Sequence, residues 1–445
     1  MEYNIIYSRN GRRTGDRPEE KGADTVEERQ EWMDWLHAGV SPWHTVRRAE
    51  MYLCEQGFMP LELTEPFAVE PGGRYVVADG SFLAAFTLGN REEVRIAAAH
   101  TDWPCLRVKA RPELLSAGCC RLNVEPYGGM LYSTWMDRPL GLAGVVYVKT
   151  ADPLRPAARL IRWDEPLLVI PNLAIHLDRN ANNGKALLPQ TDLLPLCRLA
   201  EEGWEKEGYL VRQIAQKLGV APEEVLSFEL CAYCMAPPVR VGFDKGFLSS
   251  PRLDNITSVM ACVEGLAKAA GDTLNVAVLY DNEEIGSTTY RGGDSATLSV
   301  ILEKLAEGLG WSRTKLADAC RRGMLLSCDA AHAVHPNHPE LADPTCGPLL
   351  GRGLALKRSP RYSSDAGTCA VVQGLCQSRS IPWQEYRNRA DQPGGSTVGA
   401  MASARLAMPA VDVGVPLLAM HSACELMAAA DQEALNRLCR AFFEA

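Results

Sequence analysis

The stretch Leu274-Asn275-Val276-Ala277-Val278-Leu279-Tyr280-Asp281-Asn282-Glu283-Glu284-Ile285-Gly286-Ser287 decides how this chain is read. Its opening residues, Leu274 to Leu279, are apolar, rich in Val and short enough for a buried strand. The strand runs into two adjacent carboxylates followed by Gly. Adjacent acids repel, so at neutral pH they need a counter-charge. A metal ion is the strongest one available and inverts the usual pKa logic of such a pair. Taken alone, a solvated acidic loop after a core strand is the simpler reading. The rest of the chain counts against it.

Other expected strands end in the same kind of residue. Val94 to Ala99 leads into His100-Thr101-Asp102, where the acid two residues on is placed to orient the imidazole. Met324 to Cys328 ends in Asp329. Ala410 to Val415, then Pro416 to Met420, end in His421-Ser422. Asp254 stands before an apolar-periodic helix over Asn255 to Ala270, which makes it an N-cap by default. Helices are also expected from Asp294 to about Gly308, from Ser312 to Gly323 and from Ala423 to Phe443. This alternation of helix and strand predicts an α/β core, and in open α/β sheets ligands bind beyond the carboxyl ends of the strands. Two imidazoles with several carboxylates and no thiolate suit Zn²⁺, with Co²⁺ or Mn²⁺ as alternatives. More carboxylates than one ion needs suggests two ions, about 3.5–4 Å apart, sharing a bridging carboxylate.

At 445 residues the chain exceeds one hydrophobic core, so two or three domains are expected. A formal net charge of −9 argues against nucleic acid or an anionic membrane as the main partner. No apolar run reaches the length of a membrane span, and Met1 to Lys21 lacks a signal-peptide core, which predicts a cytoplasmic protein. The cysteines are odd in number and scattered in apolar segments, as suits free thiols in a reducing compartment. Cys231-Ala-Tyr-Cys234 has the spacing of a redox or zinc pair, but no second pair completes a tetrahedral site, so it reads as structural.

Residues from about Ser8 to Arg29 read as a charge-rich, mobile arm. Two helices follow over Glu31 to Gly57, broken at Ser41-Pro42, and then a hairpin turning at Asp79-Gly80. From about residue 109 the character changes to short strands separated by Gly, Pro and Asp turns, including Leu122 to Glu125, Leu167 to Ile170 and Phe228 to Ala232. Helical pieces are expected near Pro195 to Glu207 and Leu210 to Leu218. His176, inside this region, reads from the residues alone as a half-buried strand His. His332, His335 and His338 lie close together, but their spacing is not helical and Pro336 and Pro339 interrupt it. The first two read as structural or assembly residues and His338 as a surface one.

The chain closely resembles the aspartyl aminopeptidases. The matching segments are His100 to Lys109, Tyr127-Gly128-Gly129, Ser133-Thr134-Trp135 with Asp137-Arg138, Asn172 to Leu177, Arg252 to Asn255 and Asp281 to Ser287. To these are added Ala331 to Asn337, Arg361-Tyr362, Gly395-Ser396-Thr397, Val411 to Gly414 and Met420-His421-Ser422. They follow the family's order from about residue 30 to 427.

The resemblance implies a phosphorylase/hydrolase-like α/β core, a mixed sheet sandwiched by helices. Residues 1–108 and 249–445 would form this catalytic domain, and 109–248 an inserted β-rich dimerisation or lid domain. It implies an aminopeptidase that removes single N-terminal residues, preferably Asp or Glu, from peptide substrates with two divalent metal ions, Zn²⁺ above all. His100, Glu284, Asp329 and His421 match terminal metal ligands, and Asp254 matches the carboxylate bridging both ions. Glu283 matches the general base and Asp102 the acid that orients His100. His176 matches a histidine that reaches a neighbouring subunit's active site, within dimers that assemble into a tetrahedral dodecamer. An acidic substrate needs a fixed cation, for which Lys357 and Arg361, with Tyr362 beside it, are the candidates. Lys357 stands closer to Arg361-Tyr362 than in the family pattern, and Gly394 replaces a typical Cys. Both departures bear on acidic specificity. The alternatives are a broader-specificity aminopeptidase, a related dinuclear hydrolase such as a deacylase or carboxypeptidase, and a non-catalytic assembly protein.

Overall fold

The computed structural model describes residues 26–201, 203–392 and 394–445. The arm expected over residues 8–29 lies, up to residue 25, outside the described residues. Its last residues are helical, because the first helix spans Val26–Ala38 instead of starting at Glu31. The second helix, Pro42–Glu55, begins where Ser41 accepts from the His44 amide, as the Ser-Pro break predicts.

Four parallel strands form the centre of a nine-stranded sheet, in the order Leu274–Tyr280, Val94–His100, Met324–Cys328 and Ala410–Gly414. Every residue of the first two is buried, and alternate side chains serve opposite faces of the sheet. Val94, Ile96, Ala98, Val276 and Val278 pack on one face with the helices Thr297–Gly308 and Arg313–Arg322. Ala97, Ala99, Ala277 and Leu279 pack on the other, against Leu253–Lys268 and Ala429–Glu444. The sheet is thus a mixed one between helical layers. Antiparallel to these run the Phe82–Leu88 hairpin strand on one side and Leu354–Lys357 with Trp383–Tyr386 on the other.

Between Cys105 and Cys234 the chain builds a separate six-stranded antiparallel sheet. A five-stranded sheet, which includes Phe247–Ser250, Pro416–Leu418 and Glu425–Ala428, adjoins the region around His421. No helix among the described residues is long and apolar enough to cross a membrane.

Three local expectations are corrected. Leu196–Leu199, expected to be helical, is a strand held by Cys119–Arg121 on one side and bridged to Val169. Leu167–Ile170 is not a strand of its own and reaches its neighbours only through bridges at Leu168 and Val169. The terminal helix starts at Ala429 instead of Ala423, because Glu425–Ala428 pairs with both Phe247–Ser250 and Pro416–Leu418. In each case pairing with distant chain overrode local propensity.

Candidate metal centre

The parallel register sets Tyr280 beside His100, so the residues following each strand emerge at one edge of the sheet. Asn282, in the left-handed region (φ 63°), starts the short turn Glu283–Ile285, whose two glutamate amides donate to Asp102. Asp329 follows Met324–Cys328 and is fixed by its amide, which donates to Val413 O at 2.9 Å. His421 (φ 66°) sits on the turn between Pro416–Leu418 and Glu425–Ala428. Asp254 does not cap its helix as expected. Its backbone is extended (φ −81°, ψ 106°), and its carboxylate turns toward the two imidazoles.

Two triplets of donors result, and they share Asp254. His100 Nε2 stands 3.5 Å from Asp254 Oδ1 and 3.4 Å from Asp329 Oδ1. His421 Nε2 stands 3.5 Å from Asp254 Oδ2 and 3.4 Å from Glu284 Oε1. These separations are long for charge-assisted hydrogen bonds. They match the edges of a tetrahedron about an ion with bonds of about 2.0–2.1 Å, which are about 3.3–3.4 Å long. Asp254 Oδ1 and Glu284 Oε1 are buried without any hydrogen-bond partner. A buried carboxylate oxygen without a donor is expensive, and the shared triplets leave it facing other ligand-type atoms. The nitrogen and oxygen donor set therefore fits divalent ions of the zinc kind.

The electrostatics show the same need. Burial pushes Glu283 up to about 8, and the charges of Asp329, Asp102 and Asp254 add to this against His100. Glu284 is likewise raised well above the usual carboxylate range, by burial and then by Asp254. Burial opposes a charge on His421, yet Asp254 and Glu284 raise it to about 10. Asp254 is held well below the usual carboxylate range, because the two imidazoles outweigh its burial.

Asp102 ties the pieces together. Its backbone oxygen lies 3.1 Å from His100 Nδ1, and its carboxylate accepts from the amides of Glu283 and Glu284, each at 3.2 Å, and from the Tyr127 hydroxyl at 2.6 Å. In the sequence Tyr127 lies in a matching segment but is assigned no function. Glu425 has none there either; it accepts from the amides of Asp254 (3.0 Å) and His421 (2.8 Å) and so sets both sides of one triplet. A signal for Glu425 was present: an acid four residues beyond His421 in an otherwise apolar stretch. Gly128 is required where it lies, since a Cβ on it would come within 3.0 Å of the Glu284 Cβ.

The remaining sequence candidates are spread more widely. Glu283 belongs to neither triplet but is anchored by Asp102 beside them. Asp281 turns inward, accepting from Ser81 and from the Asn282 amide. Lys357 is buried, with Nζ 3.5 Å from Asp329 Oδ2 and lying over the Tyr362 ring. Arg361 is exposed and Tyr362 half-buried. His176 is exposed on a turn far along the inserted region. His338 is exposed beside Glu340, its ring 5.4 Å from that of His335. None of the three clustered histidines joins a metal-binding group among the described residues.

Comparison with known proteins agrees with this geometry. Residues 35–443 match the family model described as aminopeptidase I zinc metalloprotease (M18). The chain is 39% identical over 405 residues to a probable M18 family aminopeptidase 2 of Clostridium novyi, covering 89% of this chain and 94% of that protein. It is 38% identical to a protein of the same description from Mycobacterium leprae, covering 93% and 97%. Among solved structures, a chain of the Ape4 and Nbr1 complex superposes with a TM-score of 0.89 at 30% identity, covering 93% of this chain and 85% of that one. The M18 aminopeptidase of Thermotoga maritima superposes with a TM-score of 0.83 at 24% identity, covering 94% and 97%, and shows the same fold. The chain is a member of the M18 family of zinc aminopeptidases, a peptide-bond hydrolase.

Proposed function

We propose that this protein removes single N-terminal residues, preferably Asp or Glu, with two divalent ions to which Asp254 would be a shared ligand. The observation that carries this reading is the pair of donor triplets sharing one carboxylate. His100 and Asp329 would complete one ion's set, and Glu284 and His421 the other's. Bound there, the ions would polarise the scissile carbonyl and lower the pKa of an attacking water.

The chain's own groups do the rest. Glu283, kept basic by burial and neighbouring acids, accepts the water's proton and returns it to the leaving amine. Asp102 holds the His100 ring and the Glu283–Glu284 turn in one frame. His176, exposed on its turn, would act in a neighbouring subunit's site. The Saccharomyces cerevisiae mApe1 dodecamer, similar in fold at a TM-score of 0.79, supports such an assembly. All fifteen cysteines are free thiols, which supports a reducing, cytoplasmic setting.

Broader specificity is the second reading, and one contact favours it. The Lys357 ammonium is already engaged with Asp329, and the other candidate cation, Arg361, is exposed. Chromogenic amides of Asp, Glu, Leu and Lys, with an N-blocked Asp amide, test both readings. Preference for Asp and Glu with no turnover of the blocked amide supports the proposal. Preference for Leu removes the acidic specificity, and turnover of the blocked amide removes the aminopeptidase mechanism.

A further inference from the structure

The Cys-x-x-Cys spacing at Cys231 and Cys234 does not pair those two residues in space. Both lie in the strand Val225–Cys234, and Cys234 instead meets Cys424, 190 residues later, with a sulfur-to-sulfur distance of 3.9 Å. Arg138 Nη1 lies 3.7 Å from Cys234 Sγ. A thiol beside a guanidinium is where thiolate is favoured, and thiolate is the reactive form. The Cys424 thiol, with the Ala236 backbone and Arg138, holds the Cys234 thiol below its ordinary value against burial. Cys424 is half-buried and Cys234 buried, but Cys234 lines a narrow cleft with Trp135, Asp254, His421 and Ser422 that admits a molecule about the size of water, as hydrogen peroxide nearly is.

The two cysteines sit on different kinds of backbone, one in a paired strand and one on a turn. Cys234 is paired in register with Leu140 in the six-stranded sheet. Cys424 lies on the turn that carries His421, tied by the Ala423 amide to Thr134 Oγ1 (2.9 Å) and by its own amide to Ser422 Oγ (3.2 Å). A disulfide requires the sulfurs to close from 3.9 Å to about 2.05 Å. Cys424 lies outside the paired strands and three residues beyond His421, so a shift of its sulfur would reach His421 through this turn.

We propose that Cys234 and Cys424 are a reversible oxidation site for hydroperoxides, and that their disulfide pulls the His421 turn out of its working position. The Cys234 sulfur attacks one peroxide oxygen. An S–O bond forms, the O–O bond breaks, and the other oxygen leaves as an alcohol, or as water from hydrogen peroxide, giving a sulfenic acid. The Cys424 sulfur then attacks that sulfur. The S–S bond forms, the S–O bond breaks, and the hydroxyl leaves as water with the Cys424 proton. Two thiols lose two electrons, and one hydroperoxide gains them. The effect on activity rests on the metal-centre reading above; the crosslink itself does not.

The test treats the zinc-loaded full chain with a small excess of hydrogen peroxide, blocks remaining thiols with iodoacetamide and maps the peptides. The expected result is a Cys234–Cys424 crosslink with activity reduced about ten- to a hundredfold, restored by dithiothreitol, because small displacements of reacting groups cost that much. Cys424→Ser and Cys424→Ala should keep their activity through the same treatment and leave a sulfenic acid on Cys234 that dimedone traps. Absence of the crosslink, or crosslinks confined to pairs such as Cys328 and Cys439 (3.7 Å apart), overturns the site. A crosslink that leaves activity unchanged, or equal inactivation of the variants, overturns the coupling to His421. A crosslink in a chain without any peptidase activity contradicts the proposed function while leaving the oxidation site standing.

Discussion

Tyr127 donates its hydroxyl to Asp102 Oδ2 at 2.6 Å, and through that bond a strand of the inserted region fixes the acid that orients His100. The same hydroxyl receives the Asn282 side-chain amide at 3.0 Å, so it also steadies the turn that presents Glu283 and Glu284. Tyr127→Phe should leave the fold intact and reduce metal affinity or kcat about 10- to 100-fold, the usual effect of removing a ligand's supporting partner. Metal titration and steady-state kinetics on the variant check this. Wild-type values for both would show that Asp102 is held without Tyr127.

Glu283→Gln should separate binding from chemistry. The residue is outside both donor triplets, so its amide should retain the metal content of the parent. Turnover should fall about 10²–10⁴-fold, the range for loss of a general base. Elemental analysis and kcat from one preparation decide it. A variant that turns over normally at full metal content removes Glu283 from the mechanism.

Lys357 offers a sharper test of specificity than Arg361, because its ammonium is buried beside Asp329. If it receives an acidic side chain, Lys357→Met should lose activity on Asp and Glu amides about tenfold more than on Leu amides. A uniform loss on all substrates would instead assign Lys357 to holding Asp329.

Removing the ions should make stability depend on pH in one direction. In the ion-free protein burial pushes Glu283 from its ordinary 4.5 to about 8, and neighbouring acids raise His421 from 6.5 to about 10 against burial. Both folded-state values lie above the unfolded ones, so the folded chain binds more protons between them. The stability these groups contribute is complete below pH 4.5 and 6.5 and is lost as pH rises through about 8 and 10. Asp254, held low, acts only in stronger acid. Melting of chelated protein should therefore fall from about pH 6 to about pH 9 more steeply than that of zinc-loaded protein, where metal replaces protons. Parallel slopes would contradict this.

Much of the core was legible because its strands are buried on both faces and read as apolar runs, as Val94 to Ala99 and Leu274 to Leu279 do. His100, Glu284, Asp329 and His421 could be found because each follows such a run. Asp254 could not be found the same way. It precedes a helix, and its ordinary capping role conceals that the backbone at Asp254 and Asn255 is not helical. Glu425 disappeared into an expected helix, because its segment is made extended only by pairing with Phe247–Ser250 and Pro416–Leu418. The stretch from Ala331 to Pro409 gave little warning of Leu354–Lys357 and Trp383–Tyr386. These are short strands defined by each other and by Ala410–Gly414. The spacing Cys231-Ala-Tyr-Cys234 points to the wrong partner, since the meeting of Cys234 with Cys424 depends entirely on the tertiary fold.

The central claim is that one carboxylate serves two ions, and metal stoichiometry in paired variants tests it most directly. The parent should bind two zinc ions per chain, His421→Ala should keep the ion held by His100 and Asp329, and Asp254→Ala should lose both. One ion per chain in the parent, or an Asp254→Ala variant that retains an ion as firmly as His421→Ala does, would contradict it.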